Sequence, residues 1–267
     1  MPPVGLHGAR TLSKRRGAVG LRRHAPPEPK STAEKGDGDL GKSVLVIAAH
    51  PDDEILGPGG TLRRHALDGD TVHAVILCEG ESIRYRGHEV GLADHARKAA
   101  EIIGFASIEL LGFPDQHLET RALTDLITPL EKKMHQTCPQ LVYTHFYGDL
   151  NRDHQIVAEA VLVAARPLET WIEEVLGFET ASSTEWSAVH RFAPSHFVEI
   201  SSTLDEKLRA MSCYPSEVRG SPHPRSLESL RSRALYWGSC VMVSAAEAFV
   251  VYRRVRRQIS GSGSQST

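Results

Sequence analysis

No stretch of this chain approaches the roughly 18 to 20 consecutive apolar residues that a membrane-spanning helix needs, and no apolar signal core lies near Met1. An integral membrane segment and a secretory leader are therefore not expected, and a cytoplasmic location is. Cysteine is sparse. Cys78, Cys138, Cys213 and Cys240 stand far apart and form no CxxC pair, which argues against a ribbon-type zinc site and a disulfide framework. Neither sign of charge prevails, with 31 Lys and Arg against 33 Asp and Glu and a formal net charge of -2. Such a chain has no overall field to gather nucleic acid or anionic membrane, so a small molecule is the expected partner. No internal repeat is visible.

What is present is an ordinary globular composition, 40% hydrophobic and 24% charged over 267 residues, which suits one large α/β domain. Residues 1–42 differ from the rest. Arg10, Lys14, Arg15, Arg16, Arg22 and Arg23 precede Pro26, Pro27 and Pro29 with little apolar periodicity, so a disordered basic extension is expected there. Acidic residues from Glu28 onward speak against a transit peptide or a nucleic-acid arm. Residues 43–257 carry the folded domain, and 258–267, rich in Ser and Gly, read as a flexible tail.

Within the domain, β-branched apolar runs at 43–49, 71–78, 107–111 and 140–144 read as buried strands, and helical spacing marks 61–67, 91–103, 123–135 and 154–165. The alternation predicts an α/β fold, a doubly wound, Rossmann-like, mostly parallel sheet with helices on both faces. Further strands are expected at 172–178, 196–200 and 248–252, with helices near 204–211 and 227–237.

Ligands of such sheets bind at the carboxyl ends of strands, so the residues after each strand matter most. The first strand ends in His50-Pro51-Asp52-Asp53-Glu54. An imidazole and several carboxylates in so short a turn are costly to hold together unless a cation sits among them. His50 and Asp53 can converge on a metal such as zinc while Asp52 points elsewhere; the plainer reading is acidic residues at a helix N-terminus. Gly57-Pro-Gly-Gly60 then allows close backbone approach. The fourth strand ends in Tyr143-Thr-His-Phe-Tyr-Gly-Asp-Leu-Asn-Arg-Asp-His154, a second His and Asp cluster that by itself also reads as a turn and helix cap. Two such loops on one sheet edge can supply a three-ligand site with a position open for water.

With Ala49-His50-Pro51-Asp52-Asp53-Glu54 and the later Asp153-His154, the chain resembles the PIG-L (LmbE-like) family of zinc-dependent N-acetylglucosaminyl de-N-acetylases. The likeness runs from about Ser43 to Arg254 and takes in Gly57 to Gly60, 98–104 and Gly112-Phe-Pro-Asp115. It implies Zn²⁺ held by His50, Asp53 and His154, with Asp52 as the general base. It also implies a small N-acetylated amino-sugar conjugate as substrate, and self-association into a homo-oligomer is left open. The family's second motif reads His-x-x-His, whereas here its first position is Asn151, which can donate a hydrogen bond but carry no proton. Asn151 then serves as an oxyanion donor, and the leaving amine must be protonated by Asp52 in a second role or by His145 or His223. Asp153 is expected to orient an imidazole or Asn151. Arg84, His145 and His223 complete the site as substrate-binding groups, Arg84 because it follows the second strand at the same edge. Two alternatives stand beside this reading. One is hydrolysis of a different small amide by the same chemistry. The other is a non-catalytic sugar- or nucleotide-binding module, which the acidic turn and the lack of GxGxxG disfavour.

Overall fold

A computed structural model of the protein describes residues 41–256 apart from 87 and 89. Most of the expected extension at 1–42 and the tail at 258–267 lie outside the described residues. The chain begins with β1 (Ser43–Ala48), whose run of Val, Leu and Ile is buried on both faces, as a central parallel strand requires. A single helical turn, α1 (Asp53–Leu56), and α2 (Gly59–Asp68) lead to β2 (Thr71–Cys78). Then follow α3 (Leu92–Ile103), β3 (Ser107–Phe113), α4 (Leu123–Thr137), β4 (Leu141–His145), α5 (Arg152–Ala164) and β5 (Glu174–Phe178). The C-terminal part supplies β6 (His196–Glu199), α6 (Leu204–Met211), α7 (Leu227–Cys240) and β7 (Ala246–Arg254).

The seven strands run in the order β3-β2-β1-β4-β5-β7-β6. The first five pair in parallel, and β7 alone runs the other way, pairing antiparallel with β5 and with β6. Alternate residues of β1 face two cores. Val44, Val46 and Ala48 pack with residues of α2, α3, α6 and α7, and Leu45 and Ile47 with α4 and α5, so helices cover both sides as the alternation predicts. The chain leaves β1 toward β2 on one side and returns to β4 on the other. The β1–β4 boundary is therefore the switch point, where the loops after the two strands diverge and leave a crevice.

The turn after α1 is packed against the second half of the chain. A Cβ on Gly57 would lie 2.3 Å from the Phe178 ring and one on Gly60 2.8 Å from Ile200, so these glycines admit core side chains rather than a ligand. The buried Lys207 ammonium donates to the carbonyls of Leu56 and Gly57, each at 2.9 Å, and to Glu247 at 2.6 Å. Glu247 in turn accepts from the N–H groups of Gly60 and Thr61, at 2.9 and 2.7 Å. One buried ion pair thus caps the end of α1 and the start of α2, satisfying backbone groups that neither helix can satisfy itself. Among the described residues no helix is long and apolar enough to cross a membrane.

Candidate active site

The loop after β1 and the N-terminus of α5 deliver His50, Asp53 and His154 to one buried point at the switch crevice. His50 Nδ1 lies 3.1 Å from Asp53 Oδ2, His154 Nε2 lies 3.2 Å from the same oxygen, and the two ring nitrogens are 3.2 Å apart. Ligand atoms around a tetrahedral ion with bonds of about 2 Å are separated by about 3.3 Å, so this triangle has the dimensions of a metal face. The chemistry of the donors agrees. Asp53 Oδ1 is buried without a hydrogen-bond partner, which is costly for a carboxylate unless a cation meets it. The far nitrogens of both rings are held by carboxylates. His50 Nε2 faces Asp153 Oδ2 at 3.1 Å and Asp115 Oδ1 at 3.3 Å, while His154 Nδ1 faces Asp149 Oδ1 at 3.0 Å. A proton on each of those nitrogens leaves a lone pair on His50 Nδ1 and His154 Nε2, both aimed at the triangle. The residues present fit a metal ion.

The holding carboxylates are themselves fixed. Asp153 accepts from the N–H groups of Gln116 (2.9 Å) and Leu118 (3.2 Å), and Asp149 from the N–H of Asn151 (2.8 Å) and the hydroxyls of Ser183 and Thr184. Burial works to raise both acids, but these bonds and the facing imidazoles outweigh it and keep both below the usual carboxylate range. Burial likewise works to lower His50, yet its bonds to Asp153 and Asp53 raise it to about 9.

Asp52 behaves differently from its neighbour. Its φ of 113° is left-handed, a conformation that costs a non-glycine residue about 1–3 kcal/mol and persists only where the surroundings impose it. They do so here, because its N–H donates to Glu54 Oε2 (3.0 Å) and its carbonyl accepts from Ile55 and Leu56. The strained turn sends the Asp52 carboxylate away from Asp53 and onto Arg225, whose Nη1 is 3.0 Å from Oδ2, while Oδ1 is buried without a partner. Burial pushes the Asp52 pKa up to about 7 against the pull of Arg225.

Each expected residue has a definite place. Asp153 faces His50 Nε2 at 3.1 Å and accepts no hydrogen bond from the Asn151 side chain, whose Oδ1 instead accepts from the Asp153 N–H. Asn151 is the N-cap of α5, its Oδ1 accepting from the Asp153 N–H at 2.8 Å, which leaves the Nδ2 hydrogens as its free donors. Arg84 pairs with Glu217 (3.0 Å), and His223 stands beside Arg225, its Nδ1 accepting from the Arg225 N–H at 3.1 Å; both line a pocket beyond Asp52. His145 must be corrected as a substrate contact and as a proton donor. It is fully buried, its Nε2 accepts from the Ala49 N–H (2.9 Å), its Nδ1 meets Thr180 Oγ1 (3.1 Å), and its ring stacks on His154 at 4.1 Å. Burial, together with the neighbouring His154, lowers its pKa to about 3, so it braces the cluster from behind in neutral form. Sequence reasoning passed over Asp149, Glu217 and the grip of Arg225 on Asp52. Asp149 left one signal, a carboxylate five residues before a candidate ligand. Glu217 left none.

A sequence model of the PIG-L family, described as GlcNAc-PI de-N-acetylase, matches residues 45–165. Diacetylchitobiose deacetylase of Thermococcus kodakarensis is 28% identical over 212 residues, which span 74% of this chain and 78% of that protein. The uncharacterized deacetylase YaiS of Escherichia coli K12 is 35% identical over 150 residues, spanning 53% of this chain and 76% of that one. Among solved structures, the 4-carboxy-2-hydroxymuconate hydratase of Pseudomonas putida KT2440 superposes with a TM-score of 0.64 at 25% identity, covering 82% of this chain and all of the other.

Proposed function

The chain belongs to the PIG-L family, and from that membership we propose that it is a cytoplasmic zinc-dependent hydrolase that removes the N-acetyl group of a small amino-sugar conjugate. The observation that carries the reading is the meeting, at the switch point, of three metal-ligand atoms with the buried carboxylate of Asp52, one oxygen of which has no partner. His50, Asp53 and His154 would hold the ion, and imidazole with carboxylate suits zinc. Zinc so held supplies a Lewis acid for the amide carbonyl and a water that ionises near neutral pH.

The protein's own groups do the rest. Asp52 accepts the proton of the attacking water, and burial, which pushes its pKa up to about 7, makes its carboxylate more basic than an exposed one and so better able to accept. The same carboxyl, which gained the proton of the water, then protonates the amine as the C–N bond breaks; His145 has both nitrogens committed, and Asn151 has no acidic proton to give. The Asn151 amide donates to the oxyanion that develops at the carbonyl. Asp149 and Asp153 keep the two ligand imidazoles in the tautomer that presents a lone pair.

Two measurements on the purified protein test this: zinc content, and acetate released from N-acetylglucosamine conjugates before and after chelation. One zinc per chain with chelator-sensitive acetate release is expected. Bound zinc without acetate release from any such conjugate defeats the deacetylase reading. A second reading, hydration of an unsaturated acid, is favoured by the likeness to the hydratase, and would give a hydroxy acid and no acetate.

A further inference from the structure

Arg225, which grips Asp52, also lines a pocket of about 220 Å³ together with Arg84, Ser182, Glu217, Arg219 and His223. The acceptors of this pocket are already used. Glu217 is fully buried; one of its oxygens accepts from Arg84 (3.0 Å) and Arg225 (2.6 Å), and the other from the Tyr85 hydroxyl. Ser182 Oγ accepts from Arg225 Nε at 2.8 Å, which leaves its hydrogen to donate. His223 Nδ1 accepts from the Arg225 N–H, so the ring hydrogen of the neutral imidazole sits on Nε2. Arg84 engages Glu217 through Nη1 and keeps its other guanidinium hydrogens.

The charges are equally uneven. Arg84 and Arg225 are matched by Glu217 and Asp52. Arg219 is exposed at the lip, its guanidinium donates to the Ser216 carbonyl, and among the described residues no carboxylate pairs with it. Asp115 also acts on Arg84, so the buried carboxylates offset the two inner guanidinium groups, and Arg219 is the cation of the lining left without a carboxylate of its own. The pocket therefore presents spare donors and a spare cation, and the partner that satisfies both is an anion rich in acceptors.

We infer that this pocket is an anion subsite that selects substrates whose group beyond the amino sugar bears a carboxylate or a phosphate, with Arg219 as the specificity residue. The inference rests on the deacetylase reading for the sugar half of the substrate and extends it to the other half. It is tested with N-acetylglucosamine carrying methyl, carboxymethyl or phosphate on the anomeric oxygen, assayed with the zinc-loaded protein and with Arg219→Gln, an exposed substitution. The carboxymethyl or the phosphate conjugate is expected to exceed the methyl glycoside in kcat/KM by about tenfold or more, and Arg219→Gln to remove most of that ratio. Whichever anion leads identifies the source. Equal turnover of all three, or a ratio unchanged in the variant, overturns the inference while leaving the deacetylase reading intact. If none is deacetylated, that reading fails, and calorimetric binding of succinate and of inorganic phosphate decides the subsite alone. A Kd about tenfold weaker in Arg219→Gln supports it, and an equal Kd overturns it, because binding to the metal is blind to Arg219.

Discussion

At His50, Asp53 and His154 the outward ring nitrogens are held by carboxylates while two imidazole lone pairs and the unpartnered Asp53 Oδ1 are left for a cation, whereas around Glu217 the acceptors are used and the donors are spare. The first region is assembled from loops after two neighbouring parallel strands, β1 and β4. The second is assembled from the β2–α3 loop, the segment after β5 that carries Ser182, and the long α6–α7 connection. One region is closed and aimed at a cation, and the other is open and positively biased. Asp52 is the residue they share, since its backbone belongs to the first and its carboxylate is held by Arg225 of the second. The contrast implies that chemistry and selectivity can be damaged separately, and substitutions can break or sharpen it.

The largest effects fall on the closed region. His50→Ala and Asp53→Ala should each lose the metal and all turnover, whereas Asp52→Asn should keep the metal and lose about 10² to 10⁴ in kcat. Zinc content by atomic emission, set beside kcat, checks this; stoichiometric zinc in His50→Ala would remove it from the ligand set. Next comes Asn151→Ala, expected to lower kcat by about 10² to 10³ with metal retained, as loss of one oxyanion donor does. Loss of the α5 cap should also cost about 1 kcal/mol of stability, so denaturant melts separate the two roles. Near-normal kcat with a lowered melt would leave Asn151 as a cap alone.

Smaller changes follow one shell out. Asp149→Asn should weaken metal affinity by about 10- to 100-fold, because His154 loses the carboxylate that fixes its tautomer. Chelator competition measures it, and an unchanged affinity would show that Ser183 and Thr184 hold the loop without it. The gentlest perturbation, with no residue changed, is a gradient with pH. In the metal-free protein His50 is raised to about 9 and His154 is also raised, both by facing carboxylates that outweigh burial. Metal must displace those protons, so apparent affinity should climb with pH until about 9, by up to about tenfold per unit for each proton released. A flat profile between pH 6 and 8 would mean that neither imidazole is protonated there before metal arrives.

The closed region could be read from sequence because its ligands lie within four residues at the end of an apolar β-branched run, and a second His closes it at the start of a helix. The parallel half of the sheet was legible for the same reason. The open region was not. Arg225 and Asp52 are 173 residues apart, and Glu217 sits in an irregular connection with no periodicity to mark its burial. His145 shows the limit of reading strand ends. It follows an apolar run as His50 does, but β4 is covered on both faces, so the chain there buries an imidazole that spacing alone would have left at the surface. Next to the far edge, β7 spans Ala246–Arg254 rather than 248–252, because pairing with β6 and β5 extends it at either end.

The ion pair of Lys207 with Glu247 sets an order of events. The proposed metal ligands come from residues 50 to 154, early in the chain, but the turn that carries two of them is clamped by Lys207 and by Glu247 on the last strand. A nascent chain emerging from the ribosome therefore displays the ligand sequence long before it owns the ligand geometry. Metal capture in the native arrangement becomes a late step, taken after β7 has inserted between β5 and β6, and a chain cut short of residue 247 would carry the motif without the site.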